Sequence, residues 1–158
     1  MRNEGSSKGP FVEQYVLYEV DRYVKRYQRY FRPFSLLVVT AHNLTSIDEE
    51  LGRSVGNSLL EDLADLINKN IREVDVWYPY ARDQFVIIME QTDSEGARTA
   101  AKRLAAEAAQ AQAVRTGNDA TLKLSFRTVS CPDDGTETRE ILEAAGLPRV
   151  TSLSIRPR

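Results

Sequence analysis

Between Pro33 and Thr40 the chain reads "FSLLVV", residues 34–39, an almost unbroken apolar run of strand length. A strand that half faces water alternates apolar and polar side chains, whereas one apolar on both faces must be covered on both. This run therefore predicts a central strand with helices packed above and below it. The 158 residues suffice for one domain with a sizeable core.

The flanking segments supply the covering layers. "FVEQYVLYEVDRYVKRYQRYF" (11–31) predicts a helix, with Val16, Val20, Tyr23, Tyr27 and Phe31 forming a stripe at steps of three and four. Pro33 ends it. "LGRSVGNSLLEDLADLINKNI" (51–71) predicts a second helix, burying Leu59, Leu60, Leu63, Leu66, Ile67 and Ile71. "VDVWYPYARDQFVIIM" (74–89) predicts a hairpin turning within 81–85. An Ala-rich helix follows at 94–113, then a loop at 115–119 and a half-exposed strand at 120–130. "PDDGT" is a turn, and a last helix at 137–145 is closed by Gly146 and Pro148. The order is α-β-α-β-β-α-β-α. It predicts a mixed α+β or α/β fold with a central mixed sheet, parallel and antiparallel, flanked by helices. The domain is expected over 11–146, with a disordered segment or linker at 1–10 and a tail at 147–158.

Composition excludes several roles. The net charge is −2, from 21 basic and 23 acidic side chains, so duplex nucleic acid is not an expected partner. No apolar run is long enough to span a bilayer, and the first ten residues lack the apolar core of a signal peptide. The single cysteine, Cys131, and single histidine, His42, supply neither a disulfide nor a paired metal site. A cytoplasmic setting is expected, either alone or as the cytoplasmic part of a longer protein.

The hairpin is unusual for a tight turn. Such turns favour Gly, Asn or Asp because many of them need positive φ, yet this one places Arg82 beside Asp83 and Gln84. Together with "RPFSLLVV", "IDEELGRSVGNSLLEDLA" and "LSFRTVSCPDDG", the string "ARDQF" (81–85) resembles the GGDEF domain of diguanylate cyclases. The resemblance covers roughly residues 12–145. It implies a palm-like, ferredoxin-like nucleotide-cyclase fold. It also implies an active site in which two carboxylates hold divalent metal on a nucleoside triphosphate.

Against that pattern the sequence departs at most active-site positions. Thr40 and His42 stand where the family has aspartates, Ala81 and Arg82 where it has glycines, and Gln84 where it has glutamate, while Asp83 and Phe85 match. Asp48 and Asn57 take the places of the guanine-reading Asn and Asp, with the two types exchanged. Arg82 adds bulk where substrate would lie. The expectation is a domain with no catalytic residues, no bound metal and no cofactor.

A second motif is retained. Arg72 and Asp75 form R-x-x-D five residues before the altered hairpin, the family's spacing for the inhibitory site that binds cyclic di-GMP, and Arg103 matches a further arginine of that site. The chemistry suits the ligand: guanidinium forks grip phosphate or the O6/N7 edge of guanine, and a carboxylate accepts from guanine N–H donors. The expected function is a catalytically inactive receptor for cyclic di-GMP. One alternative is a nucleotide-independent interaction or dimerisation module built on the Tyr-rich first helix, with a second copy or another protein as partner. Another is a residual GTP-binding regulatory domain using Asp48, Asn57 and Asp83.

Overall fold

A computed structural model describes residues 10–113 and 120–147 of the chain. The expected loop at 115–119, Pro148, and all but the inner ends of the two terminal segments lie outside the described residues. Helix α1 (Pro10–Tyr30) leads into strand β1 (Phe34–Ala41), then helices α2 (Leu44–Leu51) and α3 (Arg53–Asn70). Strands β2 (Val76–Ala81) and β3 (Gln84–Glu90), helix α4 (Ser94–Ala113), strand β4 (Leu124–Cys131) and helix α5 (Thr138–Ala145) follow. Two boundaries differ from expectation. The second helix is preceded by a separate one, broken at Gly52, whose φ of 102° is the left-handed region that favours glycine. The last strand begins at Leu124 rather than at residue 120.

The strands form one sheet in the order β2-β3-β1-β4. Every neighbouring pair among the described residues is antiparallel, which corrects the expectation of mixed pairing. Helical crossovers do link strands that run the same way. β3 separates β1 from β2, however, and β1 separates β3 from β4, so no parallel pair becomes adjacent. This is the ferredoxin-like arrangement.

β1 is central, as its apolar run requires. Successive side chains alternate between faces. Leu36 and Val38 join Val86, Ile88, Val129 and the residues of α1 and α5 in one core. Leu37 and Val39 join Phe85, Ile87 and the residues of α2, α3 and α4 in the other. The register places Leu37 opposite Ile87 and Leu36 opposite Ile88, so each core is continuous across strands.

Helix α1 buries Val16, Leu17, Val20 and Val24. Tyr23 and Tyr27 pack at the margin of that core, but Phe31 lies beyond the helix with a φ of 57° and is 70% exposed. The expected stripe therefore turns inward one helical turn earlier, through Val24. In α3, Leu59, Leu63 and Ile67 are buried, while Leu60, Leu66 and Ile71 are half-buried at its flanks. Gly146 closes α5 in the left-handed conformation as expected, and Leu147 packs back into the core.

Cys131 ends β4 fully buried, and burial pushes its thiol up to about 11. A thiolate is the reactive form, so the native thiol is protected twice. A disulfide-exchange dye at neutral pH should label it only as fast as the protein opens. Labelling of the native protein at the rate of a free thiol would contradict this placement.

Candidate functional site

The hairpin positions two clusters, one at each end. At the start of β2 the chain leaves α3, turns through residues 71–75 and enters the sheet. The turn is closed on itself: Asp75 N donates to Arg72 O at 2.9 Å, and Arg72 N donates to Asp75 Oδ2 at 2.9 Å. The two side chains pair as well. Arg72 Nε reaches Asp75 Oδ2 at 3.2 Å, and Nη2 reaches Oδ1 at 2.8 Å. Nη2 also lies 2.8 Å from Glu90 O and 2.8 Å from Thr92 Oγ1, at the end of β3.

Arg72 is thus fixed from two sides, while its Nη1 has no protein partner among the described residues. Its side chain is 51% exposed and that of Asp75 only 4%. Hydrogen bonding to Asp75 raises the Arg72 pKa further, against burial, so the guanidinium stays charged. Both Asp75 oxygens are spent on Arg72. In this conformation the carboxylate stands behind the guanidinium and orients it, rather than facing a ligand directly.

Arg103 approaches the same place from α4. Its Nη2 donates to Asn70 O at 3.1 Å, a carbonyl in the last turn of α3 where a cation is favourable. Arg72, Asp75 and Arg103 all line one cleft of about 460 Å³. That volume falls in the ordinary range for small-molecule sites. Its floor is apolar, from Leu37, Met89 and Leu104, and its rim is polar. Asp93 on the rim has Oδ1 committed to Gly96 N at the start of α4, at 2.9 Å. Asp75 offsets Arg72, so attraction for an anion is local, at Arg72 Nη1 and at Arg103, and is not a field of the whole cleft. The structure brings the three residues that the sequence pattern singled out to one cleft. The pattern missed Thr92 and Asn70, ordinary polar residues whose contacts depend on where two element ends meet.

At the other end of the hairpin, the turn holds Arg82 and Asp83 alone. Neither has positive φ; among non-glycine described residues only Phe31 and Gln91 do. A register shift between Pro79 and Ala81 lets the strands close without a left-handed turn residue. Asp83 O accepts from Ala41 N at 2.8 Å, tying the turn to the end of β1. Ala81 is paired with Gln84 across the turn, and Phe85 is buried against Trp77 in the second core.

Arg82 is not merely bulky. One arm of its guanidinium donates to Asp48 Oδ2, and Nη2 donates to Asp48 Oδ1 at 3.2 Å and to Asn57 Oδ1 at 2.8 Å. Asp48 and Asn57 therefore meet at one donor rather than capping their helices. Gln84 Nε2 donates to Thr40 Oγ1 at 3.2 Å, and His42 sits in the turn after β1 with Nε2 2.7 Å from Ser125 Oγ. Among the described residues no three His, Cys, Asp or Glu side chains gather as a metal-binding group. The side chains at this end are the Gln84–Thr40 pair, the Asp48 carboxylate paired to Arg82, and the turn carboxylate of Asp83.

Residues 13–147 match the family profile "Diguanylate cyclase, GGDEF domain". Among curated proteins, the chain is 28% identical over 96 residues to the diguanylate cyclase DosC of Escherichia coli K12, covering 60% of this chain and 21% of that protein. The chain thus spans about a fifth of DosC's length. Among solved structures, the GGDEF domain of PA1120 from Pseudomonas aeruginosa superposes with a TM-score of 0.71 at 17% identity, covering 82% of this chain and 81% of that one. The GGDEF domain of DgcB from Caulobacter crescentus, solved in complex with c-di-GMP, gives 0.75 at 12% identity, covering 90% and 86%. No helix among the described residues is long and apolar enough to cross a membrane.

Proposed function

The chain belongs to the GGDEF family, and we propose that it acts there as a receptor for cyclic di-GMP rather than as an enzyme that makes it. The observation that carries the reading is that Arg72, Asp75 and Arg103, 31 positions apart at the extremes of 72–103, converge on one cleft with an apolar floor. Arg72 is pre-oriented by Asp75 and Thr92, and pre-orientation reduces the entropy a ligand must overcome. Two guanidiniums suit two phosphates, and the apolar floor suits a purine face. DgcB's domain, similar in fold, carries c-di-GMP in its solved complex. Isothermal titration of this protein with cyclic di-GMP tests the reading, and absence of saturable binding refutes it.

The reading of catalytic silence rests on the other end of the hairpin. The family pattern asks for carboxylates where Thr40 and Gln84 stand, and these two hydrogen-bond to each other. A neutral hydroxyl–amide pair neither holds a divalent cation nor acts as a base. Incubation with GTP and Mg²⁺ or Mn²⁺ should yield no cyclic di-GMP. Product formed at several turnovers per hour and lost in Asp83→Ala would contradict this.

The interaction-module reading keeps one supporting observation. Tyr15, Tyr18, Tyr30 and Phe31 are exposed along and just after α1, with Arg29 and Arg32 both over the Tyr30 ring. Aromatic and arginine side chains are the types enriched at protein interfaces. The two readings are compatible, since the cleft lies on another surface element.

A further inference from the structure

We propose that Ser35 of β1, with its proton aimed by Ser130 of β4, is a positioning residue for the cleft: it holds, from inside the protein, the turn that orients Arg72. The proposal rests on the receptor reading for its ligand, and goes beyond it by giving a role to two side chains that do not line the cleft. Both serines are buried, and they stand opposite each other in the β1–β4 register. Alternation puts Ser35 on the face of Leu37, which packs with α3 and α4. A hydroxyl at such a place costs free energy unless it is hydrogen-bonded.

The hydrogen bonds run in one direction. Ser35 Oγ lies 2.8 Å from Thr92 O, 2.7 Å from Ser130 Oγ and a longer 3.4 Å from Asp93 O. A carbonyl can only accept, so the single Ser35 proton goes to Thr92 O and Ser130 donates to Ser35. Thr92 stands before the first carbonyl of the α4 ladder, Asp93 O, which accepts from Ala97 N at 2.9 Å. Its own carbonyl is met by Ser35 instead. On the cleft side, Thr92 Oγ1 donates to Glu90 O at 2.9 Å and accepts from Arg72 Nη2 at 2.8 Å. The contacts therefore lead from Ser130 through Ser35 and Thr92 to Arg72. The turn after β4 braces both ends: Ser130 N donates to Asp134 Oδ2 at 2.8 Å, and Ser94 Oγ donates to Asp133 Oδ2 at 2.7 Å. Glu90 is held by its pairing with Phe34 of β1, so the Arg72 acceptor that depends on Ser35 is Thr92 Oγ1.

Ser35→Ala, alone and combined with Ser130→Ala, tests this, with Val129→Ala in the core on the other face of the sheet as the control for lost packing. Ser35→Ala should weaken cyclic di-GMP binding roughly three- to tenfold in calorimetry and lower the melting temperature. Adding Ser130→Ala should recover part of the melting temperature, because it removes the stranded hydroxyl, and none of the affinity. Val129→Ala should lower the melting temperature while affinity stays within about twofold of wild type. Wild-type affinity in Ser35→Ala, or affinity that follows the melting temperature across the three variants, overturns the proposal. A second readout needs no ligand. In ¹⁵N spectra the Arg72 guanidinium should rotate slowly in wild type and in Val129→Ala, and faster in Ser35→Ala. Equal rotation in wild type and Ser35→Ala overturns the positioning role. If wild type binds no cyclic di-GMP, the receptor reading falls, and the guanidinium rotation alone decides the role of Ser35.

Discussion

Arg103→Ala should weaken cyclic di-GMP binding at least about tenfold while leaving the fold intact. A hydrogen bond to a charged group contributes about 1.5–3 kcal/mol, and about 1.4 kcal/mol is a factor of ten. Arg103 is the clean position for this test. Among the described residues its hydrogen bond is the one to Asn70 O, so its removal strands no buried charge there. Arg72→Ala should lose at least as much affinity, but not cleanly, because Asp75 is buried and depends on Arg72 for its side-chain partner. Its melting temperature should fall as well. Arg72→Lys separates the two effects: it keeps a charge near Asp75 but loses the fork, so affinity should drop further than stability. Asp75→Asn should weaken binding through Arg72, since an amide cannot accept from Nε and Nη2 together. Equal affinity in Arg103→Ala and wild type would remove α4 from the site.

The largest effect on stability is expected at the middle of the sheet. Ile87 is fully buried on β3, opposite Leu37 of β1, in the core shared with α3 and α4. Ile87→Ala should cost about 2–5 kcal/mol, the range for truncating a packed aliphatic side chain. Domains of this kind are stable by only about 5–15 kcal/mol, so the loss is a large share of the total. Urea unfolding should show a lower midpoint with an unchanged slope. A cost below about 1 kcal/mol would mean that the site collapses around the cavity and that the two-sided core is looser than its burial implies.

The central strand was legible because both-face burial leaves a plain mark on sequence, an apolar run with no alternation. Strand adjacency was not legible in the same way. A crossover helix says that two strands run the same way, and nothing local says whether a third strand lies between them. That is why some parallel pairing was expected, whereas the parallel strands β1 and β2 are separated by β3. Helix α2 escaped because "LTSIDEEL" buries only Leu44 and Ile47, too few apolar positions to define a period.

The two sites differed in the same manner. Arg72, Asp75 and Arg103 were singled out by spacing, and a short turn and a fixed helix offset bring them to one cleft. In the sequence Arg82 was visible only as bulk. Its partners Asp48 and Asn57 are 34 and 25 positions away, and only the folded hairpin reveals that an unlike charge sits within reach. The role of Asp75 also changed on folding. Spacing marked it as a reader of guanine, whereas burial makes it the support of Arg72.

The receptor reading is tested most directly by titrating the wild-type protein with cyclic di-GMP in the calorimeter, first with a chelator present. We expect saturable binding that does not change when the chelator is replaced by Mg²⁺, and that weakens at least about tenfold in Arg103→Ala. Absence of binding by wild type at about 100 µM ligand, where a site of about −8 kcal/mol would be saturated, would contradict the account.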